Sequence, residues 1–253
     1  MKRSFECLDT GAHDLILLCS IFPIPAELLS RIAIGLGLCG NVDCYCKARS
    51  QVVSIKNKLV SSALLLPAGE GFVKIHDVIR DVAQQIADEK IQVIMDSKEK
   101  LEDNVKYSAW MIDDFSNYFK GNNLEVLLVW VNANVSLEVR NEFFRGRKEL
   151  RVLLLCSKLE FGRTLVLSLP TSIHSLENIQ TLSLTNWESG DISILQNLKE
   201  LQSLELTNCS ILELPNDVSQ LKKLRLLRLE RYSIKRNNPL EVIGRCSKLE
   251  VLY

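Results

Sequence analysis

Apolar and polar positions change period three times along the chain. Up to residue 61 they recur at helical spacing. A first apolar run covers residues 12–20, and Pro23 and Pro25 stop it. A second, residues 26–38, puts Leu28, Leu29, Ile32, Ala33 and Leu36 on one side before Gly35, Gly37 and Gly40 loosen the chain. A third, residues 45–61, sets Val52, Val53, Ile55, Leu59 and Val60 against Arg49, Lys56 and Lys58. The period then shortens. Residues 64–66 predict a short buried strand, residues 67–71 a turn, and residues 72–74 the returning strand. From Asp77 a helical period resumes. Val78, Ile79, Val82, Ala83, Ile86 and Ala87 share one face, and Asp77, Arg80, Asp81, Gln84, Gln85 and Asp88 take the other.

Helices followed by a strand–turn–strand hairpin make a winged-helix pattern over residues 1–89. Residues 90–123 read as a connector. Within it 91–95 and 105–112 have strand character, 98–103 is a charged turn, and Trp110, Phe115, Tyr118 and Phe119 suggest a packed junction. From Leu124 the chain repeats. Leu201, Leu204, Leu206, Cys209 and Ile211 fill the template L-x-x-L-x-L-x-x-N/C-x-L. Leu224, Leu227 and Leu229 continue it, with Tyr232 and Ile234 after them. Ile179, Leu182 and Leu184 fit, as do Leu150, Leu153 and Leu155, and more loosely Leu124, Leu127 and Val129. Leu249 and Leu252 begin one more. The predicted fold class is mixed α/β: an α-helical winged-helix domain followed by a leucine-rich-repeat solenoid over residues 124–253 with a parallel inner sheet. Each unit buries its leucines only against its neighbours. Period-2 alternation turns Leu204 and Leu206 inward. It sends Thr181, Ser183, Thr185, Ser203, Glu205, Thr207, Leu226, Arg228 and Glu230 to the concave surface, where they either solvate the sheet or contact a protein partner. Residues 251–253 stop inside a repeat strand and no polar capping repeat is visible, so both ends read as cut.

One residue carries candidate chemistry. His76 falls at the start of the helix beginning at Asp77, where free backbone N–H groups and the positive dipole end favour an anion. An imidazole there either donates to a phosphate or is held by a neighbouring carboxylate. Residues 74–83, Lys-Ile-His-Asp-Val-Ile-Arg-Asp-Val-Ala, resemble the Met-His-Asp motif of plant coiled-coil nucleotide-binding leucine-rich-repeat (NB-ARC-LRR) disease-resistance proteins, with Ile75 in place of the Met. Cys19-Ser20-Ile21-Phe22-Pro23 resembles that family's Cys-Ser-Leu-Phe-Pro motif at the entry to its winged helix. The resemblance implies that His76 contacts the β-phosphate of ADP in the off state, with Asp77 supporting the switch. It implies ADP or ATP as ligand of the full-length protein. The implied partners are the upstream nucleotide-binding domain and either a pathogen effector or a guarded host protein. The implied location is cytoplasmic, with the nucleus possible.

Other motifs change the picture by failing. Residues 35–40 match GxGxxG but end a helical pattern, and Asn41 stands where a P-loop needs Lys. The chain therefore reads as binding nucleotide weakly or not at all by itself, and not as an enzyme. It has no GxSxG and no HExxH, and His13, His76 and His174 lack catalytic spacing. Lys+Arg and Asp+Glu are equal at 31 each, which gives no pull toward nucleic acid or anionic membrane. Residues 45–80 hold Lys47, Arg49, Lys56, Lys58, Lys74 and Arg80 against Glu70 and Asp77, a mild excess that a solvated face explains as well as duplex DNA does. A generic repeat adaptor and a DNA-binding winged helix are thus the alternatives to a signalling switch. The eight cysteines form no CxxC pair and read as reduced intracellular thiols. Glu6, Asp9 and Asp14 argue against a secretory signal at Met1-Lys2-Arg3, and the sequons at Asn134 and Asn208 then carry no meaning. No apolar run approaches the ~18 residues of a membrane helix.

Overall fold

The computed structural model describes residues 8–21, 24–40, 42–69, 71–86, 90–96, 99–115, 121–132, 137–158 and 165–253. Expectations placed on Met1–Arg3, Phe22, Pro23, Asn41, Glu70, Ala87, Asp88, Lys98, Tyr118, Phe119 and Asn134 lie outside them, as do the side chains of Val78, Gln84, Gln85 and Ile86. The chain divides into two compact units, Met1–Gln92 and Val93–Tyr253.

The first unit opens with α1 (Thr10–Ile21). Asp9 starts it, accepting from the Ala12 N–H at 2.7 Å, and the residues from Leu15 to Cys19 are all buried. Strand β1 (Ile24–Pro25) leads into α2 (Ala26–Gly35), which buries Leu29, Ile32 and Ala33. The sequence pattern runs the helix to Leu38, but it ends three residues earlier. Gly37 adopts φ +74 and the Leu38 N–H donates back to the Ala33 carbonyl at 3.0 Å, which closes the helix in a glycine cap. Helix α3 (Tyr45–Ser61) buries Tyr45, Ala48, Val52 and Leu59, and its Arg49 Nε donates to Glu27 Oε2 of α2 at 3.0 Å. Strands β2 (Leu65–Pro67) and β3 (Phe72–Ile75) pair antiparallel, Leu65 opposite Ile75, and β1 joins the other side of β3. Helix α4 (Asp77–Ile86) follows directly.

The second unit carries the leucines, and its strands come in pairs. β4 (Ile91–Ile94) and β5 (Tyr107–Ile112) precede the repeats. Then each repeat contributes one longer and one very short strand. These are β6 (Val126–Val131) and β7 (Leu137–Glu138), β8 (Val152–Ser157) and β9 (Leu165–Ser168), and β10 (Thr181–Thr185) and β11 (Trp187–Ser189). β12 (Ser203–Thr207) and β13 (Ser210–Ile211) follow, then β14 (Leu226–Glu230) and β15 (Ser233–Ile234). Helix α5 (Pro239–Ile243) and β16 (Val251–Leu252) complete the described order. The longer strands form one sheet in the order β16-β14-β12-β10-β8-β6-β5-β4, parallel from β5 through β16. The short ones form a second parallel sheet, β15-β13-β11-β9-β7. Between them lies a single leucine core that includes Leu153, Leu155, Leu182, Leu184, Leu204, Leu206, Leu227 and Leu229. Burying each such side chain contributes roughly 1.5–3 kcal/mol relative to exposure.

The connector expected over residues 90–123 contributes β4 and β5 to this sheet. β5 pairs with β6 in register, which puts Ser108, Trp110 and Ile112 opposite Leu127, Val129 and Val131. The leucine slots are thus filled by Ser and Trp, which hides the repeat from a leucine template. Ser108 Oγ accepts from the Trp110 indole N–H at 2.7 Å, and Phe115 and Trp110 both pack edge-on against Phe143. The polar slot that holds Cys209 in one repeat holds Trp187 in the repeat before it, fully buried, with its indole N–H donating to the Leu155 carbonyl at 2.9 Å. Tyr232, in the same slot one repeat later, is exposed. The Asn208 sequon has its amide engaged, donating to Asn186 Oδ1 at 2.8 Å. No helix among the described residues is long and apolar enough to cross a membrane.

The seven described cysteines are free thiols. Burial pushes Cys19 up to about 12, and burial first of all pushes Cys156 and Cys209 up to about 11, from an ordinary 9.0. A raised folded value means that the unfolded chain releases these protons first. Their contribution is fully present below pH 9 and is lost as pH rises toward 11–12. The urea midpoint is therefore expected to fall across that alkaline window. At neutral pH a thiol reagent should label exposed Cys46 in the native protein and spare Cys19 and Cys209. Peptide mapping that finds all three labelled at one rate would refute this packing.

Candidate functional site

Two places hold the residues that sequence singled out. The first is the junction of β3 and α4. Ile75 is fully buried, and Ile79 and Ala83 anchor the helix beneath it. His76 is the residue that caps the helix: its carbonyl accepts from the N–H groups of Ile79 and Arg80, both at 2.9 Å, and its own N–H reaches the Leu64 carbonyl at 3.5 Å. The backbone is therefore fixed from both sides while the imidazole is half-buried. Asp77 opens the first turn with its side chain 82% exposed, and Arg80 Nη1 stands 3.5 Å from Asp77 Oδ1. A shallow cavity of about 530 Å³ in this unit runs along α3, lined by Ser50, Val53, Ser54, Asn57, Lys58, Ser61 and Ser62, and does not include His76.

The second place is the face of the eight-stranded sheet turned away from the leucine core. All the predicted face residues lie on it, in rows set by the register. Thr181 stands opposite Ser203, Ser183 opposite Glu205, and Thr185 opposite Thr207. Ser203, Glu205 and Thr207 in turn stand opposite Leu226, Arg228 and Glu230. Exposure along this face is uneven. Thr181, Ser183, Ser203, Glu205 and Leu226 are buried, whereas Thr185, Thr207, Arg228 and Glu230 keep partial exposure. In-register strands about 4.8 Å apart flank every mid-strand side chain on both sides, so short residues lie below longer neighbours. The same face is apolar toward β6 and β8, where Val126, Leu128, Val152 and Leu154 are buried. The signal was available: residues 126–131 and 152–155 are apolar without alternation, as in a sheet covered on both faces.

At the β14 end the face is built and charged. Arg228 Nε and Nη2 donate to Glu230 Oε2 at 3.0 and 2.5 Å. Its guanidinium carbon lies 5.5 Å from the centre of the Tyr253 ring. The hydrogen bond to Glu230 holds the Arg228 guanidinium above its ordinary value, and the same bond holds Glu230 below the usual carboxylate range. Sequence reasoning missed Tyr253, whose role arises only because the register of β16 sets it beside Arg228.

A parallel sheet of leucine rungs in register defines this chain as a leucine-rich-repeat protein. No protein-family model matches it. It is similar to curated plant disease resistance proteins. It is 26% identical over 248 residues to disease resistance protein UNI of Arabidopsis thaliana, a match covering 90% of the chain and 27% of that relative. It is also 26% identical over 254 residues to probable disease resistance protein At1g61300 of the same plant, covering 90% of the chain and 32% of the relative. The chain thus spans less than a third of the length of these relatives. Among solved structures, internalin C2 of Listeria monocytogenes aligns over 60% of this chain and 71% of its own, at 17% identity and a TM-score of 0.41. At that likeness the fold assignment rests on the repeat geometry itself.

Proposed function

We propose that this chain is the winged-helix and early-repeat part of an intracellular plant immune receptor acting in defence. In this reading the first unit is the C-terminal, winged-helix part of the NB-ARC region. His76 contributes a contact to the β-phosphate of ADP bound mainly by the upstream nucleotide-binding domain, Asp77 supports the switch, and the repeats recognise an effector or a guarded host protein. Bound ADP would supply the negative charge against which the closed state is held. His76 orients that charge, and Asp77 and Arg80 fix the first turn that carries it. The observation that carries the reading is the junction itself. The motif His76-Asp77 falls at the first turn of a helix, with the backbone of His76 bonded on both sides and its imidazole half-open. Similarity to disease resistance proteins over nine-tenths of the chain supports it. In this reading the role of the segment is conformational, with the nucleotide held mainly by the upstream domain.

The test uses the full-length receptor that carries this segment, expressed transiently in leaf. Asp77→Val is expected to weaken the off state and cause cell death without any effector. The side chain is exposed, so loss of folding is not expected from this change. A silent Asp77→Val receptor at normal protein level would count against the switch and leave a protein-binding repeat array in its place.

A further inference from the structure

The open part of the inner face is a strip along the C-terminal ends of its strands. Met111, Trp130, Cys156, Thr185, Thr207 and Glu230 occupy one register row, and each is half-buried. The two ends of the row differ in chemistry. Met111 and Trp130 form an apolar end. At the other end stand Arg228, Glu230 and Arg231. Here hydrogen-bonding capacity is unequal. Both oxygens of Glu230 are engaged, Oε2 by Arg228 and Oε1 by Arg231 at 3.7 Å. Arg228 uses Nε and Nη2 for that bond, which leaves the Nη1 edge, and the Arg231 side chain is 70% exposed. A guanidinium carries five N–H donors and no acceptor. What this end offers a ligand is therefore donors, on a guanidinium already oriented by Glu230 and stacked near Tyr253. Exposed Lys158, just past β8, stands at the other end, its ammonium 3.9 Å from Met111 Sδ, and borders the apolar pair there.

Resting on the recognition role proposed above, the geometry points to an extended acidic polypeptide segment as the ligand of this strip. A carboxylate sits on Arg228 and Arg231, and an apolar side chain sits on Trp130 and Met111. The register fixes the spacing. From β6 to β14 the sheet order crosses β8, β10 and β12, four interstrand steps. At about 4.8 Å per step this spans ~19 Å, which an extended chain rising about 3.3 Å per residue covers in about six residues. The recognised segment carries Asp or Glu about six residues from a large apolar residue. Between these anchors Thr185 and Thr207 offer neutral hydroxyls. A polyanion such as nucleic acid is disfavoured because Glu205 and Glu230 stand in the same cluster as the two arginines.

A random peptide library displayed on phage and selected on the full chain tests this. Selected peptides are expected to share an acidic residue at that spacing from Leu, Phe or Trp. A selected peptide, labelled and titrated by fluorescence polarisation, should bind about tenfold more weakly to Arg231→Glu and to Arg228→Glu. Trp130→Ala should weaken the same peptide, and Lys199→Glu, at an exposed turn, should not. Arg231→Glu keeps the test decisive if Arg228→Glu misfolds, because its side chain is mostly solvent-exposed. Peptides without the acidic preference, or binding unmoved by Arg231→Glu and Trp130→Ala, overturn the strip and leave protein recognition elsewhere on the repeats standing. Equal binding of an oligothymidylate overturns the polypeptide assignment. An empty selection overturns the strip too. None of these outcomes touches the nucleotide switch, which the Asp77→Val receptor tests by itself.

Discussion

Replacing Trp187 with Ala is expected to destabilise the repeat unit by about 3–5 kcal/mol, the range for emptying a large buried aromatic site. Trp187 is fully buried in the leucine core, and its indole N–H supplies the Leu155 carbonyl with a partner from the adjoining repeat. Truncation removes both the packing and the bond. In a repeat array stability passes through neighbour interfaces, so the damage is not confined to one turn of the chain. Thermal unfolding followed by circular dichroism should drop by about 10 °C or more. Trp187→Phe should fall between, because it keeps most of the volume but leaves the carbonyl short of its donor, a loss of roughly 1–3 kcal/mol. Glu188→Ala is the neighbouring control. Its pair with Lys235 is solvent-exposed on both sides, and such pairs contribute about 0–1 kcal/mol. Equal losses for Trp187→Ala and Glu188→Ala would show that the indole does not bridge the repeats.

Periodicity carried the architecture where the physics of one element determines its residues. Helix α3 spans residues 45–61 in both pattern and structure, since its buried positions Tyr45, Ala48, Val52 and Leu59 fall one or two helical turns apart. The leucine rungs from Leu150 to Leu229 are in the core for the same reason, because a strand in a stacked repeat can bury only alternate residues. Two features escaped. The five strands of the second sheet are two to four residues long, too short for any period to register. At Tyr107–Ile112 the strand was legible but its place in the repeat sheet was not, because Ser108 and Trp110 stand where leucines stand elsewhere.

For the functional residues the limit was different. The pattern identifies which side of a strand a residue occupies, and Thr181, Ser183, Ser203 and Glu205 are on the side expected. It does not identify depth. Depth depends on what stands in the adjacent strands, which register alone decides. That is why four predicted partner residues are buried while Thr185, Thr207 and Glu230 keep exposure at the strand ends and Arg228, mid-strand, keeps it through its longer side chain. His76 was legible as a helix start because Asp77 changes the period there. Its half-open imidazole was not, because the bond from its backbone to Leu64 joins it to a hairpin edge far from it in sequence.

Gly121→Ala is the complementary test of where the repeat unit begins. Gly121 holds φ at +121, a conformation that L side chains rarely adopt, and a Cβ there would clash with Leu101 Cδ2. Leu101 is buried in the same core as Leu124 and Trp110, so it cannot swing into solvent to make room. Backbone strain of about 1–3 kcal/mol and overpacking of similar size together predict a loss of roughly 2–4 kcal/mol. The double variant Leu101→Ala/Gly121→Ala separates the two contributions. Removing the leucine clears the clash but not the dihedral strain, so the paired loss should be smaller than the sum of the single losses, by the part due to overpacking. Urea midpoints of the four proteins provide the comparison. If residues 90–123 were a connector draped outside the core, Gly121→Ala would shift the midpoint by no more than an exposed substitution does, within about 0.5 kcal/mol. A loss several times larger, coupled to Leu101, requires that these residues are the first turn of the repeat array and that its core begins before the first leucine rung.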